Sequence, residues 1–507
     1  MTIRFLSAVV FGLTFFFGAG FAQAADKELR MALISGPPSL GNPYTGVGPP
    51  SSFVWEALFD MLVQPDENGE LQPRLALSWE VVEPTRWRFK LRPNVTFSNG
   101  EPFNADAVVA TLKWLRRTDE GKRTLVSTEV GTIADAVAVD ALTVDVITTK
   151  PDAILPKRLT AAAIVAPKAW RDLGPEGFAQ TPSGTGPYVV KSWKHQGGQV
   201  LLEANRSSWR KPVIDRIVFV MAADSVARSQ SMLAGRIDIL NIVTPEVAAA
   251  FEGTDYKAVV SQTAQVYSIA FETMRNGTHA VNDQRVRQAI NYAVNKENIT
   301  NVVMRGTMRS ASQGATPATF GYDPALKPYP YDPAKAKALL ADAGYAKGLK
   351  MTAEIVTNGM SGGADYLPLV QQDLRAVGID LEIRSVVFSD WLRKYTSNSF
   401  DVDMFGLSWN GAPYYDSLRA LEYHSCAKAN PFFCDTSVMP LIEAAGREFD
   451  VEKRRTLLRS LAGMARDAAP ALFLYEVTDI SVISPKVLNY EVKLRVPVYE
   501  KLDLAGK

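Results

Sequence analysis

Cysteine and histidine are scarce in this chain of 507 residues: Cys426 and Cys434 are the only cysteines, and His195, His279 and His424 the only histidines. No dense His/Cys cluster for a bare metal ion can be assembled from so few. No HExxH zinc motif occurs, so a zincin would lack its usual signature. An excess of charge is missing as well. Lys and Arg number 55 against 54 Asp and Glu, with no basic run, which makes nucleic acid and anionic membrane surfaces poor partners. Beyond residue 24 no segment approaches the ~20 uninterrupted apolar residues of a bilayer span. The rest of the chain is therefore expected to be soluble.

What is present begins with a secretory signal peptide over residues 1–24: Arg4 in a short n-region, an apolar run from Phe5 to Phe21, and Ala22-Gln23-Ala24 as the cleavage site. No Cys lies at that site, so a freely diffusing periplasmic protein is expected rather than a lipid-anchored one. The remaining 483 residues exceed the ~250–300 at which one hydrophobic core stops growing, which predicts two or more lobes. Export places Cys426 and Cys434 in an oxidising compartment and predicts a disulfide closing a small loop. Two free thiols are the alternative. Metal binding by the pair is disfavoured, because the C-x7-C spacing is wide and only His424 is near as a third ligand.

Strand-like and helix-like segments alternate without a repeat, as α/β or α+β lobes require. Trp87, Phe89 and Leu91 alternate with Arg88, Lys90 and Arg92, the period of a half-buried strand, and Val95 and Phe97 continue it beyond Pro93. Ser98-Asn99-Gly100 is a tight turn, and Asn104 caps a helix whose Val108, Leu112 and Leu115 share one face. Thr181 to Tyr188 is a Pro/Gly turn cluster, and Arg228 to Leu240 passes from helix to strand at Gly235. Later, Val286, Ala289, Ile290, Ala293 and Val294 mark an amphipathic helix capped at Asn282 or Asp283. Asp332-Pro333 opens another that ends at Gly344, and Tyr366 to Val377 a third that ends at Gly378 before the strand Ile379 to Ile383.

These pieces carry a resemblance. The stretch Leu77 to Leu112, LSWEVVEPTRWRFKLRPNVTFSNGEPFNADAVVATLKWL, is similar to the W…F.LR..V.F..G.P..A.DV block of the extracytoplasmic solute-binding proteins of the dipeptide/oligopeptide/nickel family (family 5) that feed ABC importers. SGTGPY at Ser183–Tyr188 resembles that family's G-T-G-P-Y turn, and GRIDIL at Gly235–Leu240 its G-x-[IV]-D segment. RVRQAINYAVN at Arg285–Asn295 and ALLADAGY at Ala338–Tyr345 resemble two of its helices. Five blocks in one order span nearly the whole exported chain. The resemblance implies an α/β, two-lobed periplasmic-binding fold with a hinge and an extra N-terminal subdomain. Residues 25–261 and 476–507 would form a discontinuous first lobe, with the subdomain at about 58–182, and residues 262–475 the second lobe. It further implies a monomer without enzymatic activity or cofactor, which captures a peptide or peptide-like solute between its lobes and delivers it to an inner-membrane permease. An exported hydrolase acting on a small solute is the alternative from another class; an opine, a sugar or a metal chelate are alternative ligands.

For the ligand site, the loop after the apolar strand Met404 to Leu407 combines Trp409, Asn410, Gly411, Tyr414, Tyr415 and Asp416 on a Gly/Pro frame, flat apolar faces with a few polar contacts. The same composition also suits a surface loop whose aromatics fold into the core. The family places such a loop at its cleft. Its dipeptide-binding members have an Asp three residues after that Trp for the peptide ammonium, where Ala412 stands here, with Asp416 as a substitute further along. Where such members place an Arg for the peptide carboxylate, the chain has Asp365 and Tyr366. Both zwitterion anchors would then be absent, which favours a longer or modified peptide, or a neutral or cationic solute. Ser39 and Tyr44, on the Pro/Gly-rich stretch Ser35 to Tyr44, and Asn358, on the loop after Met351 to Val356, complete the candidate set; the first stretch suits a plain structural loop better than ligand contact, the second a simple connector equally well.

Overall fold

Two long strands, Lys257–Phe271 and Ala471–Ile483, run antiparallel through the centre of the molecule. Both are rich in β-branched and aromatic residues, and the second is buried along its whole length, including Glu476, Thr478, Asp479 and Ser481 after its apolar start Ala471 to Tyr475. The computed structural model describes residues 27–194, 198–357 and 364–506. In it the two strands are the middle of an 11-stranded mixed sheet.

Different ends of the pair serve different halves of that sheet. At one end Ile239–Leu240 pairs with Ile483 and Val482, and Glu28–Leu33, Arg216–Met221, Gln199–Ala204 and Tyr188–Lys194 follow outward. At the other, Met404–Asn410 pairs with Gln265 to Phe271, and Leu349–Val356 and Ile379–Val386 continue in parallel. Between the halves the register slips at Gln262/Val266. Each half has its own apolar core, one around Phe53, Phe89, Phe178 and Phe219, the other around Tyr267, Ile290, Ile355 and Val370. The chain after Ile483 returns to the first core through Val496, Tyr499 and Leu502. The fold is therefore two-lobed α/β.

The Leu77 to Leu112 stretch lies in a separate four-stranded antiparallel sheet, with Arg86–Leu91 as an inner strand between Ala76–Glu83 and Thr143–Thr148. Trp87, Phe89 and Leu91 are buried, while Arg88 forks onto Asp145 at 2.7 and 2.9 Å. The strand stops at Leu91 instead of running on to Phe97. Pro93 has no N–H for a ladder, and Asn94 turns the chain at φ 58°. Val95 and Phe97 are buried all the same. Asn104 caps the helix Ala105–Arg117 by accepting from the Ala107 N–H at 3.2 Å.

The glycines of Ser183–Tyr188 have a packing reason. The turn lies backbone to backbone on the end of helix Ser51–Leu58, with the Gly186 N–H donating to the Leu58 carbonyl at 3.0 Å; a Cβ on Gly184 would lie 2.0 Å from that carbonyl oxygen. In the second half the helices Gln284–Ala293, Pro333–Asp342 and Leu367–Ala376 form as their spacing predicts, the first two capped by Asp283 and Asp332, with Gly344 and Gly378 at positive φ beyond their ends. Cys426 and Cys434 form a disulfide. Its loop is short, so the double Cys426→Ser/Cys434→Ser variant should lose about 2–3 kcal/mol in urea unfolding, by loop-closure entropy. An unchanged midpoint would show that the loop is held by its neighbours alone.

Candidate functional site

Three elements meet where the lobes face each other. The first is helix Ser51–Leu58, entered through the cis Pro49-Pro50 bond. Phe53, Val54, Ala57 and Leu58 turn into the first core, which leaves Ser52, Trp55 and Glu56 on the wall of a cavity of about 240 Å³. The Trp55 indole is held by the Leu40 carbonyl at 2.7 Å. The second element is the loop that follows strand Met404–Asn410. In a strand side chains alternate, so Trp409 and Asn410 point to opposite faces, and it is Asn410 that reaches the cavity, with Ala412, Pro413 and Tyr415. The Asn410 carboxamide oxygen accepts from the Ala412 N–H at 2.9 Å, and the Gly411 N–H donates to the Ala264 carbonyl at 2.8 Å, which folds the loop back over the hinge strand. The third is the hairpin Val492–Lys493/Val496–Pro497, whose tip residues Leu494 and Arg495 both adopt positive φ, 52° and 71°. A two-residue hairpin requires that conformation, although here no glycine relieves it. The tip enters the cleft, with Leu494 packed beside Ala264 and Tyr415.

Glu56 and Arg495 are the two charged side chains on the cavity wall, and they are not equally compensated. Arg495 forks onto Asp479 at 2.5 and 2.7 Å. Among the described residues Glu56 has one ion pair, to Arg74 at 3.3 Å, and Arg74 is shared with Asp60, which it meets at 2.6 Å. Burial pushes the Glu56 carboxyl above its ordinary value, against the pull of Arg74 and Arg210. Asp60, one turn further on, is fully buried. Burial alone would raise it too, but Arg210, Arg74 and the Thr185 hydroxyl outweigh that and bring it down to about 2.

Of the nine residues singled out from sequence, Asn410 and Tyr415 line the cavity, and Gly411 shapes the loop between them. Trp409 does not reach the cleft: its ring is buried against Phe473 and His424 in the second lobe, with the Gly314 backbone on its face. Tyr414 is buried, its hydroxyl donating to the Glu129 carbonyl at 2.6 Å. Asp416 is fully buried as well, taken up by Arg454 at 2.6 Å and Lys157 at 3.0 Å while capping helix Ser417–Tyr423. Burial favours its neutral form, but those two cations hold the carboxyl well below its ordinary range. It has no capacity left for a ligand cation. Tyr44 belongs to the first core, stacked on Trp114 and bonded to the Ala163 carbonyl at 3.0 Å, and Ser39 is half-buried in the turn above it. Asn358 lies outside the described residues. Asp365 is exposed and away from the cavity, whereas Ala412 lines it.

Ser52, Trp55, Glu56, Thr160 and Arg495 were not legible as site residues. One usable signal existed: Glu56 and Asp60 are isolated carboxylates four residues apart within the otherwise apolar run Phe53 to Val63. Around the cavity the lobes are bridged directly. Arg419 of the second lobe forks onto Glu129 at 2.6 and 3.1 Å, Arg158 reaches Glu422 at 3.2 Å, and the Thr160 hydroxyl donates to the Pro413 carbonyl at 2.9 Å.

A two-lobed α/β fold with a cavity between the lobes, walled by both and spanned by two hinge strands, defines the solute-binding proteins of importers. Residues 70–430 match the family described as Bacterial extracellular solute-binding proteins, family 5 Middle, and the chain belongs to that family. It is 28% identical over 470 residues to a dipeptide-binding protein of Pseudomonas aeruginosa, covering 86% of this chain and 87% of the relative. It is 27% identical over 475 residues to the nickel-binding periplasmic protein of Escherichia coli K12, covering 87% and 88%. Among solved structures, NikA from Brucella suis in complex with Fe(III)-EDTA is similar at a TM-score of 0.80 and 25% identity, covering 95% of this chain and 100% of that one. The protein is thus a periplasmic substrate-binding protein of an ABC transporter, which captures a peptide-like or small solute between its two lobes.

Proposed function

We propose that the solute carries a cationic group, such as the α-ammonium of a short peptide, that Glu56 anchors it, and that the loaded protein delivers it to an inner-membrane permease. The observation that carries this reading is the placement of Glu56: a carboxylate on the wall of the cavity that Ala412 also lines, whose ion pair among the described residues, to Arg74, is shared with Asp60. The family resemblance puts an ammonium-binding Asp at the position of Ala412; here a carboxylate of the other lobe, Glu56, lines the same cavity. Trp55 and Tyr415 supply aromatic surface beside it. The relatives that bind dipeptides make a peptide the first choice among amines.

Closure follows from the same arrangement. The register slip between Gln262 and Val266, facing Glu476 to Thr478, interrupts the ladder and supports a hinge there, with lobe boundaries near 261/262 and 475/476. A ligand touching Glu56 on one lobe and Asn410 on the other gains both contacts only in the closed form, so binding shifts the population toward it.

The test is calorimetric titration of Gly-Leu and N-acetyl-Gly-Leu into wild type and Glu56→Gln. A charge-assisted hydrogen bond contributes about 1.5–3 kcal/mol, so Glu56→Gln should weaken Gly-Leu roughly tenfold to hundredfold. The melting temperature of the ligand-free variant should not fall, since the amide relieves a buried carboxylate. Equal binding of the free and acetylated dipeptides would refute the reading.

A further inference from the structure

The hairpin Val492–Lys493/Val496–Pro497 is rooted in one lobe and ends in the other. At its base Val496 is buried in the first core together with Tyr499, whose hydroxyl donates to the Phe53 carbonyl. At its tip Leu494 packs into an apolar cluster of the second lobe made by Ala264, Ala318, Ala412 and Tyr415. Arg495 faces both ways. It forks onto Asp479 at 2.5 and 2.7 Å, and its remaining terminal nitrogen donates to the Gln265 side-chain oxygen at 3.4 Å. Gln265 in turn donates to the Ser408 hydroxyl at 2.8 Å, on strand Met404–Asn410. Both tip residues also line the cavity of about 240 Å³.

The tip is strained, and its two residues are held differently. Leu494 at φ 52° and Arg495 at φ 71° occupy the left-handed region, which a side chain disfavours and a glycine would accept freely. Such conformations persist where tertiary contacts over-determine them. For Arg495 those contacts come mainly from Asp479, on the first-lobe side of strand Ala471–Ile483, and do not depend on closure. For Leu494 they come from the second lobe, so opening removes them. The leucine then loses its apolar neighbours while its backbone strain stays.

We infer that Leu494 is a positioning residue for solute capture: carried by a hairpin rooted in the first lobe, it seats in an apolar cluster of the second and so holds shut the cavity whose wall it forms. The seat is made by the protein alone, so the closed form has it with or without solute. Solute contacts add to it, and neither Glu56 nor a charge on the ligand enters. The role of Leu494 rests on the hinge closure proposed above, not on which solute is captured.

Single-molecule energy transfer between dyes on Val226→Cys and Asp390→Cys, exposed positions of the first and second lobes, reads the closed-state dwell time; Cys426 and Cys434 are bonded to each other and take no dye. In the ligand-free protein Leu494→Gly and Leu494→Asn should each shorten that dwell about fivefold, the effect of losing a half-buried leucine side chain. Glycine and asparagine both accept positive φ, so the hairpin keeps its turn and only the seated side chain is lost. Leu494→Met should keep the dwell within about twofold, because it fills the same seat. A dwell unchanged in the Gly and Asn variants, or shortened as much by Met, would overturn the role, as would a ligand-free wild type that never closes. A lowered melting temperature with the dwell unchanged would assign Leu494 to core packing alone. Gly-Leu added to wild type should lengthen the dwell. A dwell that Leu494 controls and Gly-Leu does not change would support the role of Leu494 and remove the peptide reading. Dyes whose separation never changes, with or without Gly-Leu, would overturn the hinge closure and Leu494 together.

Discussion

Asp416→Asn should destabilise the protein by about 3–5 kcal/mol at neutral pH, the cost of removing one member of a buried ion cluster. The carboxylate has no exposed surface and faces two cations at 2.6 and 3.0 Å, Arg454 from its own lobe and Lys157 from the other. Without it both are left in a low-dielectric site, and they already repel each other. Burial pulls the Lys157 ammonium below its ordinary pKa, with Asp416 as the main counterweight. Lys157 can therefore shed its proton in the variant, which limits the cost; Arg454 cannot, which keeps it large. Since the cluster bridges the lobes, the loss should also open them. Urea unfolding and small-angle scattering check the two effects separately. A loss below about 1 kcal/mol with an unchanged radius of gyration would mean that Asp416 serves only as a helix cap.

Asp60→Asn should cost a similar 3–5 kcal/mol and, unlike Asp416→Asn, should act within the first lobe. Three donors and a further cation converge on this carboxylate: Arg74 at 2.6 Å, the Thr185 hydroxyl at 2.6 Å and the Trp209 indole at 3.0 Å donate to it, and the Arg210 guanidinium lies at 3.0 Å. The pH dependence has a definite sign. Between the unfolded value of 3.8 and the folded value of about 2, the unfolded chain binds more protons than the folded one. The contribution of Asp60 is thus complete above the first value and is lost as pH falls through the second, by about 2 kcal/mol. Thermal melts from pH 5 to pH 2 should show that acid limb in wild type and a shallower one in Asp60→Asn. Parallel limbs would assign the acid sensitivity to other carboxylates. Thr185 sits in the Gly184–Gly186 turn and Glu56 four residues before Asp60, sharing Arg74 with it, so the variant should also weaken ligand binding.

How much could be read without coordinates depended on the range of the interaction. The N-cap at Asn104, the helix stops at Gly344 and Gly378, and the alternation of Trp87, Phe89 and Leu91 all arise within a few residues, and each formed where its spacing predicts. The strand end at Leu91 was misread because apolar periodicity continues through Val95 and Phe97 after the ladder has lost its donor at Pro93. The disulfide followed from the compartment alone.

The loop from Trp409 to Asp416 marks the limit. Its composition announces a pocket, and its position at a strand end is right for one, yet three of its strongest side chains are spent elsewhere. Trp409 is turned into the core by strand alternation, Tyr414 is taken by the Glu129 carbonyl, and Asp416 by Lys157 and Arg454. Those partners lie 285, 259 and 38 residues away along the chain for Tyr414–Glu129, Asp416–Lys157 and Asp416–Arg454. The signal segment thus carried the expectation of export, and the resemblance of five ordered blocks the class of protein and its family, while caps and turns were legible because their chemistry is local. Which carboxylate stands at the cavity wall is not local. Burial and pairing across the two lobes spend Asp416 and leave Glu56 at the cavity wall, because a charge removed from water is compensated by whichever partner the closed fold brings within reach.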